Sequence, residues 1–590
     1  MNDCGFDVVL SRVVKPARYT DGEWNAVHKD PRSVRARAAL IYPDVYEVGM
    51  SHLGLQILYH VLNSHPDFLA ERAFAPWPDM ESELRSRALP LTSLESQTPL
   101  REFDLVGITL PYELTYTNVL NVLDLGGVPV RAADRRDDDP IVVGGGPGAV
   151  NPEPMAEFFD AILIGEGEEA IIEIAEAAAE PNRAEALDRL AQVPGVYVPS
   201  RYEAVFDGVG PRGAVVPRDR PGQGCPSHIE RRIVDDLDAA PFPTRQIVPF
   251  LDTVHSRVTL EIMRGCARGC RFCQAGATYR PRRMRSVQTL LRQAEEAVAA
   301  TGYDEISLLA FTSVDHRQIK ELAAKLVERF GPRGIGVALP SLRADAFSVE
   351  LANTIQRVRK TGLTFAPEAA SDRLRRVIRK DLTEDDLFAA AQAAFASGWT
   401  RLKLYFMVGL PTETDADVAA VGELVHRLAA FARSSLGGKQ GRLQLGVSVG
   451  AFVPKPHTPF QWMPQEPMDG LVQKLGILQQ SLRGRHVKLS WTEPATSALE
   501  AAIARGDRRV GAVIEAAWRA GARFDSWGEH FDPSRWQQAF ERQGLRLEDY
   551  VNASLDYGDR LAWDHVSCGV EKEALRAEAE SALGPGDHQP

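Results

Sequence analysis

The stretch RGCARGCRFC, residues 264–273, contains three of the chain's six cysteines, spaced as Cys266-x3-Cys270-x2-Cys273. Thiolates are soft ligands that favour zinc, copper(I) or iron–sulfur clusters. A structural zinc site uses four ligands, and a [4Fe–4S] cluster normally takes four thiolates. Three thiols in one loop therefore predict a cluster with one open iron position. Scattered structural cysteines, or a zinc site completed by His, are the alternatives.

The composition sets the class of protein. At 590 residues the chain is too long for one hydrophobic core, which predicts several domains. A net charge of −12 gives no general attraction to nucleic acid or to anionic membranes. No apolar run is long enough to span a bilayer, and six cysteines are too few for a disulfide framework. We therefore expect a protein of the reducing cytoplasm.

Residues 1–214 predict a doubly wound parallel sheet. Continuous apolar strands alternate with helices there, as in a sheet covered on both faces. The strands fall at 37–43, 103–111, 140–148 and the start of 159–179. Such sheets bind ligands beyond the carboxyl ends of their strands. The candidate residues at these ends are Asp44, Tyr112, Gly144, Gly145, Gly146 and Glu166.

The rest of the chain predicts a linker, a barrel and a helical region, so that the fold class is α/β. Residues 215–250 are rich in Pro and Gly and are interpreted as a linker. Six βα units over 251–470 predict a partial (β/α)6 barrel, with its chemistry at the strands' carboxyl ends. Residues 471–590 are expected to form a mainly helical C-terminal domain without a strand series. The barrel strands are predicted at 258–263, 305–311, 334–342, 363–368, 401–410 and 444–453.

The cysteine motif resembles that of the radical S-adenosylmethionine superfamily. Its pattern is Cys-x3-Cys-x-aromatic-Cys directly after the first barrel strand, with Phe272 as the aromatic residue. The resemblance implies a [4Fe–4S] cluster on Cys266, Cys270 and Cys273, whose open iron is chelated by S-adenosylmethionine. It also implies reductive cleavage of that cofactor to a 5′-deoxyadenosyl radical.

The same resemblance implies contacts to S-adenosylmethionine at other strand ends. The second strand lacks the family's Gly-Gly-Glu, so a different side chain would supply the oxygen for the methionine amino group. One acidic residue is implied to bind the ribose, and its alternative role is to cap the helix that begins near residue 371. The implied residues are Phe272, Thr312, Ser313 or Asp315 for the amino group, Glu368 for the ribose, and Gly409 and Pro411 for the adenine.

The N-terminal sheet is similar to the cobalamin-binding domains that precede many such barrels. Nearly the whole chain resembles radical S-adenosylmethionine proteins that carry this domain. Where classical cobalamin domains place a cobalt-binding His, this chain has Tyr46, so no His ligand is expected from that position. His52 is expected to be a surface or capping residue. The implied cobalamin contacts are Asp44, Tyr46, Tyr112, Gly144, Gly145, Gly146, Gly165, Glu166 and Gly167.

Two charged features each have an ordinary and a functional interpretation. Residues 262–294 contain eight arginines and no acidic residue. This run could grip an anion such as RNA, but neutralisation of the cluster or surface ion pairing is favoured. A second group of charged and aromatic residues lies near the C-terminus and has two interpretations. It fits a substrate pocket or an ion-paired helical interface, and the interface is slightly favoured. It comprises Arg505, Asp507, Arg508, Asp525 and Trp527.

These features predict a radical S-adenosylmethionine enzyme that uses cobalamin to methylate or similarly modify an unknown substrate, with no catalytic residue assigned. A methylthiotransferase acting on RNA or a ribosomal protein is one alternative, but those relatives carry three further N-terminal cysteines where this chain has Cys4. A non-catalytic iron–sulfur redox protein is another, but it would normally close its cluster with a fourth thiolate. The expected partners are the substrate and an electron donor such as flavodoxin or ferredoxin, with RNA not favoured and no membrane.

Overall fold

The computed structural model describes residues 3–218, 225–339, 363–436 and 443–584. The chain forms two compact units. The N-terminal unit comprises Met1–Ser256, Ala502–Tyr550 and Gly558–Gly569. The barrel unit comprises Arg257–Ala501, Val551–Tyr557 and Val570–Pro590.

The strands are numbered in chain order. They are β1 Ala36–Tyr42, β2 Phe68–Phe74, β3 Leu105–Thr109, β4 Ile141–Gly145, β5 Ala161–Leu163, β6 Val196–Tyr197, β7 Tyr202–Phe206, β8 Gly213–Pro217, β9 Ile229–Glu230, β10 Val258–Glu261, β11 Met263–Arg264, β12 Arg283–Met284, β13 Glu305–Leu309, β14 Gly336–Ala338, β15 Leu363–Glu368, β16 Arg401–Val408, β17 Gln444–Ala451, β18 Val487–Trp491 and β19 Val566–Ser567.

The α-helices are numbered in the same way. They are α1 Asp3–Leu10, α2 Tyr46–Gly49, α3 Leu53–Ser64, α4 Pro78–Ser86, α5 Tyr116–Leu125, α6 Ala170–Ala178, α7 Arg183–Leu190, α8 Gln274–Thr278, α9 Val287–Thr301, α10 Ile319–Phe330, α11 Asp372–Val377, α12 Glu384–Ala396, α13 Asp415–Leu436, α14 Met468–Ser481, α15 Pro494–Ala504, α16 Arg508–Arg519, α17 Pro533–Arg542, α18 Leu547–Val551 and α19 Lys572–Leu583.

The N-terminal unit is built on a six-stranded sheet in the order β2-β1-β3-β4-β5-β6. Neighbouring strands from β2 to β5 are parallel, and β6 pairs antiparallel with β5 at the edge. β1 is buried along nearly its whole length, as expected for a strand covered on both faces. The predicted doubly wound fold is confirmed. Its strand order reverses between β1 and β3, which is where such sheets bind ligands.

β2 is missing from the predicted strands because its sequence, FLAERAF, carries Glu71 and Arg72 at its centre. Both side chains are nonetheless buried. Ser93 donates a hydrogen bond to Glu71, and Arg72 forms ion pairs with Glu23 and Glu95. Buried charges need such partners, and these partners lie too far along the chain to be found from a local pattern.

Within the segment 215–250, predicted as a linker, residues 229–240 pack against the N-terminal unit beyond the end of β5. The backbone N–H of Glu166 donates to the carbonyl of Arg232 over 3.1 Å. In return the backbone N–H of Val234 donates to the Glu166 carboxylate over 2.7 Å. A small buried apolar cluster around Leu237 follows. The Pro and Gly content predicted the lack of periodicity, but not that this segment covers the end of β5.

The barrel unit contains two parallel sheets with the strand orders β10-β13-β14 and β15-β16-β17-β18. The predicted strand 334–342 is described only as Gly336–Ala338, because residues 340–362 lie outside the described part of the chain. The predicted parallel α/β architecture is confirmed, with one addition. Residues 487–491 were expected to be helical or irregular, yet they pair with β17 as β18. This strand is short and largely exposed, so it lacks the apolar run of a buried strand.

Residues 471–590, predicted as one helical domain, are divided between the two units. In the N-terminal unit, Asn118 of α5 accepts a hydrogen bond from the backbone of Phe524 over 2.8 Å. In the barrel unit, Glu578 of α19 pairs with Arg271. Helical periodicity predicts an apolar face but not the core against which that face packs. Across the described ranges, no helix combines the length and the apolar character needed to cross a membrane.

Candidate functional site

The cysteine loop, residues 265–282, extends from the carboxyl end of β10. The antiparallel pairing of β11 with β12 closes the base of this loop. Gly265 lies at the base with φ +84, and a Cβ atom there would come within 2.5 Å of the Tyr279 carbonyl oxygen. Glycine is therefore required at this position by both the backbone conformation and the close approach.

The three predicted cluster ligands interact with one another inside this loop. Cys266, Cys270 and Cys273 are half-buried free thiols. Burial raises the pKa of Cys273 to about 11, the Gly276 N–H lowers it, and the neighbouring Cys270 and Cys266 raise it. Since each neighbour perturbs the Cys273 thiol, Cys266 and Cys270 both lie within electrostatic range of that sulfur. Metal ligation requires thiolates, so iron must displace these protons.

Arg271 fixes the centre of the cysteine loop to two other segments. Its guanidinium donates to the carbonyls of Arg376 and Val377 over 3.1 and 2.9 Å. It also donates to Glu578 and Ser581 of α19 over 3.1 and 3.2 Å. Arg271 lies between two predicted ligands, and hydrogen bonds therefore hold its planar guanidinium on both sides.

Phe272, predicted to contact S-adenosylmethionine, packs against a buried apolar cluster of the barrel unit. This cluster includes Leu410 after β16, and Phe452 and Phe460 after β17. The aromatic residue therefore ties the cysteine loop to the carboxyl ends of two distant strands. Its ring contributes apolar burial, whatever else it contacts.

The predicted residues after β13 form a small network with the cysteine loop. The Thr312 hydroxyl donates to Asp315 over 2.7 Å. Arg268, between the first two cysteines, donates to the same carboxylate, with one bond of 2.9 Å. Ser313 is fully buried, and its hydroxyl lies 3.5 Å from the Leu308 carbonyl. Of the three alternatives, Thr312 and Asp315 thus lie beside the loop, and Ser313 lies in the interior.

Glu368 ends β15 in the left-handed region, with φ +65. Its carboxylate accepts a hydrogen bond from Lys380 over 3.1 Å. Burial and the Gly276 N–H have larger effects on the pKa of Cys273, and Lys380 has a smaller effect that lowers it. Lys380 therefore lies near both Glu368 and the cysteine loop. The capping alternative does not apply to Glu368, because Ser371 caps α11 by accepting from Leu374 N–H.

Gly409 and Pro411 lie in a tight turn after β16. Gly409 has φ +76, and a Cβ there would meet Glu466 and Leu471 at 3.0 Å. Its N–H donates to Glu413 over 2.6 Å. Burial raises the pKa of Glu413 to about 7, against the effect of Lys474. The glycine is thus required by the turn and by packing against α14.

The carboxyl ends of β10, β13, β15 and β16 therefore supply the predicted cysteines, Thr312, Glu368 and Gly409. Sequence reasoning missed Arg268 and Lys380, which pair with the predicted carboxylates. For Arg268 a signal was available, because it lies between two predicted ligands. Among the described residues, no three His, Cys, Asp or Glu side chains surround a single metal-ion position. The residues fit a cluster by donor chemistry, since three free thiols lie in one loop.

The switch point of the N-terminal sheet holds Asp44 and Tyr112. Asp44 is buried, and it accepts hydrogen bonds from Trp527 Nε1 over 3.1 Å and from Val45 N–H over 2.7 Å. Burial raises its pKa. Tyr112 begins the turn after β3 and interacts electrostatically with Tyr42. These two residues lie at the ligand-binding edge that the topology predicts.

Tyr46 and His52 have roles inside the protein. The Tyr46 hydroxyl is buried and donates to Glu23. His52 is the N-cap of α3 and accepts a hydrogen bond from Leu55 N–H over 3.2 Å, which confirms the capping interpretation. Burial lowers the pKa of His52 to about 4, so the imidazole is neutral.

The predicted cobalamin glycines are packed closely against protein. Added Cβ atoms would meet Phe159 at Gly144, Leu163 at Gly145 and the Leu110 carbonyl at Gly146. At Gly165 the Cβ would lie 2.3 Å from the Arg232 carbonyl, and at Gly167 it would meet Leu58. Glu166 is covered by Val234. The sheet order fits a cobalamin domain, and the contacts of these residues to cobalamin stay a prediction.

Acidic groups of the barrel unit pair with five arginines of the run, in agreement with the favoured ordinary interpretation; these are Arg264, Arg268, Arg271, Arg285 and Arg292. Arg264 pairs with Glu261 over 2.8 Å, and Arg292 pairs with Glu296 over 3.1 Å. Arg285 is buried, and one of its guanidinium nitrogens lies 3.7 Å from Glu261. Together with Arg268 and Arg271, these side chains are used inside the unit.

The C-terminal charged group forms an interface within the N-terminal unit. Arg508 pairs with Glu153 over 2.9 Å, and Asp507 pairs with Arg509 over 2.6 Å. Asp525 accepts from Thr117 and Trp536, and Trp527 donates to Asp44. Arg505 is fully buried. The ion-paired interface interpretation therefore holds for most of the group, and Trp527 also reaches the switch point.

Known proteins resemble this chain over most of its length. An uncharacterized protein of Methanocaldococcus jannaschii is 29% identical over 483 residues, which is 81% of this chain and 90% of that protein. The solved radical S-adenosylmethionine methyltransferase TsrM of Kitasatospora setae, with cobalamin and a [4Fe–4S] cluster bound, is 17% identical and has a TM-score of 0.48. That comparison covers 73% of this chain and 79% of TsrM.

A second solved structure, the cobalamin-dependent S-adenosylmethionine radical enzyme OxsB with aqua-cobalamin bound, is 15% identical with a TM-score of 0.48. The comparison with OxsB covers 82% of this chain and 66% of OxsB. Two family models match directly. The model of the N-terminal domain of radical SAM proteins matches residues 54–199, and that of the radical SAM superfamily matches residues 260–425. The chain therefore carries a radical SAM domain, and its cysteine loop lies inside that domain.

Proposed function

We propose that this protein is a radical S-adenosylmethionine enzyme that binds a [4Fe–4S] cluster and, together with cobalamin, methylates or similarly modifies a substrate. The observation that carries the proposal is the cysteine loop at the carboxyl end of β10, where three free thiols lie inside a radical SAM domain. When bound, the cluster supplies the electron that cleaves S-adenosylmethionine to methionine and a 5′-deoxyadenosyl radical.

The side chains around the loop have distinct proposed roles. Cys266, Cys270 and Cys273 ligate the cluster. Arg271 and Phe272 hold the loop in place, which limits the movement of the ligands. The proposal is supported by the attachment of this loop to two separate parts of the barrel unit.

Two strand ends are proposed to bind S-adenosylmethionine. Asp315 or Thr312 accepts a hydrogen bond from the methionine amino group, and Arg268 orients that carboxylate. Glu368 accepts hydrogen bonds from the ribose hydroxyls, and Lys380 orients the carboxylate. The turn at Gly409 brings the backbone close to the adenine.

Cobalamin is proposed as the second cofactor because of the strand order of the N-terminal unit, which creates a switch point between β1 and β3. The predicted contacts, which include Asp44, Tyr112 and the glycines after β4 and β5, belong to this proposal. We further propose a cytoplasmic location and a small redox protein such as flavodoxin or ferredoxin as the electron donor. RNA is not favoured as a substrate, because arginines near the loop pair with acidic groups.

The test is anaerobic reconstitution with iron and sulfide, followed by addition of dithionite and S-adenosylmethionine and detection of 5′-deoxyadenosine. Cys270→Ala should abolish both iron binding and the product. Cys225→Ala is the matched control, since this half-buried thiol lies outside the loop. A reconstituted protein that binds iron but forms no 5′-deoxyadenosine would support the redox-protein alternative. A corrinoid extracted from protein grown with cobalamin supports the second cofactor, and its absence reduces the proposal to a plain radical enzyme.

A further inference from the structure

The sheet β15–β18 of the barrel unit has one covered face and one open face. Along β16 the buried side chains Leu402, Leu404 and Phe406 alternate with exposed ones. Helices such as α14 pack on this sheet, so the buried set marks the covered face. We call the opposite face the open face; it comprises Arg401, Lys403, Tyr405 and Met407 of β16, Gly446, Ser448 and Gly450 of β17, and Lys488 and Ser490 of β18.

Three cations of the open face have no acidic partner. Arg401, Lys403 and Lys488 are exposed, and none of them has a carboxylate within ion-pair distance among the described residues. The other sheet of the unit differs, because Arg257 pairs there with Glu305 over 2.7 Å. The chain has 80 acidic and 68 basic residues, so carboxylates are not scarce. A surface lined by one sign of charge attracts ions of the opposite sign, which here are anions.

A glycine between two of these cations leaves room for an anion. Lys403 and Lys488 pair in register with Gly446 from its two sides. Their Cα atoms are therefore two strand spacings apart, about 9–10 Å. A Cβ at Gly446 would meet Cγ of Lys403 at 3.5 Å, so the lysine stem lies beside the bare backbone of β17. Glycine inside a strand often marks the close approach of a ligand, and two flexible ammonium groups can reach the same group there.

The open face leads toward the cysteine loop. Nζ of Lys403 donates to the Tyr405 hydroxyl over 2.8 Å, so the ammonium group is directed toward the carboxyl end of β16. Met407, further along the same face, packs against the apolar cluster that Phe272 also contacts. Lys403 and Met407 are four residues apart, which is about 13 Å along a strand. A group bound at Lys403 therefore leaves the rest of a substrate free to extend toward the loop.

We propose that the open face binds an anionic group of the substrate, a carboxylate or a phosphate, between Lys403 and Lys488. The inference rests on the proposed function, because it names the substrate class of the same barrel unit. Arg401 adds a third positive charge at the beginning of β16, and the paired residues Tyr405 and Ser448 offer hydroxyl groups in the next row. Three cations on a short piece of sheet suit one small anionic group, whereas a nucleic acid needs a longer basic track.

The test is calorimetric titration of the full-length, iron-free protein with pyrophosphate and with tricarballylate, which carry similar charge near neutral pH. Low ionic strength is used because salt screens exposed charges. At least one probe should bind, and the tighter of the two shows whether the group is a phosphate or a carboxylate.

Two lysine variants and their controls locate the bound anion. Lys403→Met and Lys488→Met should each weaken the binding about tenfold, because each removes a charge-assisted hydrogen bond. Lys403→Arg should retain most of the affinity, since the charge is kept. Lys325→Met is the matched control and should change nothing, because this exposed lysine of α10 pairs with Glu321.

The inference is overturned if neither probe binds, or if binding survives in the variant that combines Lys403→Met with Lys488→Met. Tighter binding of a single-stranded RNA than of both probes, lost in the same variants, would also overturn it in favour of a nucleic-acid surface. Both lysines are exposed, so their replacement leaves the core intact. Formation of 5′-deoxyadenosine without anion binding refutes only this inference, and anion binding without 5′-deoxyadenosine refutes only the proposed function.

Discussion

Replacing Arg271 with alanine should loosen the cysteine loop without changing any thiol. The Arg271 side chain is 9% exposed, whereas its partner Glu578 is 37% exposed. The ion pair itself therefore contributes only about 0–1 kcal/mol. The charge-assisted bonds to the two part-buried carbonyls of Arg376 and Val377 contribute more, and their loss costs about 1.5–3 kcal/mol. We expect a total loss of about 2–4 kcal/mol in the free energy that holds the loop.

The assay measures iron content and the low-temperature EPR signal after anaerobic reconstitution, together with the guanidinium unfolding midpoint of the iron-free protein. Arg271→Ala should bind clearly less iron than the wild type, and its midpoint should fall. Glu578→Gln should show a smaller change in both, because it removes only the half-exposed charge. Arg292→Ala is the matched control. This arginine belongs to the same run but is 58% exposed, so its loss should cost less than about 0.5 kcal/mol.

The reasoning is refuted if Arg271→Ala keeps wild-type iron content and the wild-type unfolding midpoint while Cys270→Ala loses its iron. In that case the loop would be positioned by its base at β11 and β12 and by Phe272 alone. A fall in the unfolding midpoint with unchanged iron content would limit Arg271 to a structural role.

Three further predictions concern single side chains. His52→Asn keeps an N-cap acceptor but removes the titratable imidazole. Because burial lowers the pKa of folded His52 to about 4, the wild type is fully stable above pH 6.5 and loses about 2 kcal/mol of its free energy of unfolding by pH 5, where the unfolded state binds the proton. The urea midpoints of wild type and variant should therefore diverge as the pH falls from 7 to 5. Gly165→Ala should lower stability by more than about 2 kcal/mol in urea unfolding because of the contact with Arg232 and φ +113, whereas Gly528→Ala, with open space around it, should not. Glu368→Gln should weaken S-adenosylmethionine binding by about tenfold in calorimetry, and unchanged affinity would remove Glu368 from the site.

The fold was predictable wherever strands are continuous apolar runs. β1, β3 and β4 were found in this way, because burial on both faces leaves a plain local pattern. β2 was missed for the opposite reason, since two charged residues at its centre are neutralised by partners such as Glu23 and Glu95. β18 was missed because an exposed strand needs no apolar run.

The sequence predicts candidate cluster ligands but not the side chains that support them. Three thiols at this spacing are a local pattern that indicates a soft metal site. The partners of the loop, by contrast, are ordinary charged residues. Nothing in the local sequence marks Lys380 as the partner of Glu368, or Glu578 as the partner of Arg271, because both pairings exist only after the chain has folded.

The positions of those supports indicate how the cysteine loop depends on the rest of the barrel unit. Arg268 binds Asp315 after the second strand, and Arg271 binds Glu578 in the last helix. Contacts between residues so far apart in sequence form only when both strand ends and the C-terminal helix are in place. Iron binding should therefore be coupled to folding of the whole unit, so that a bound cluster stabilises contacts remote from the thiols and their loss weakens iron binding. In this view the arginines of the loop orient a metal site instead of attracting a polyanion.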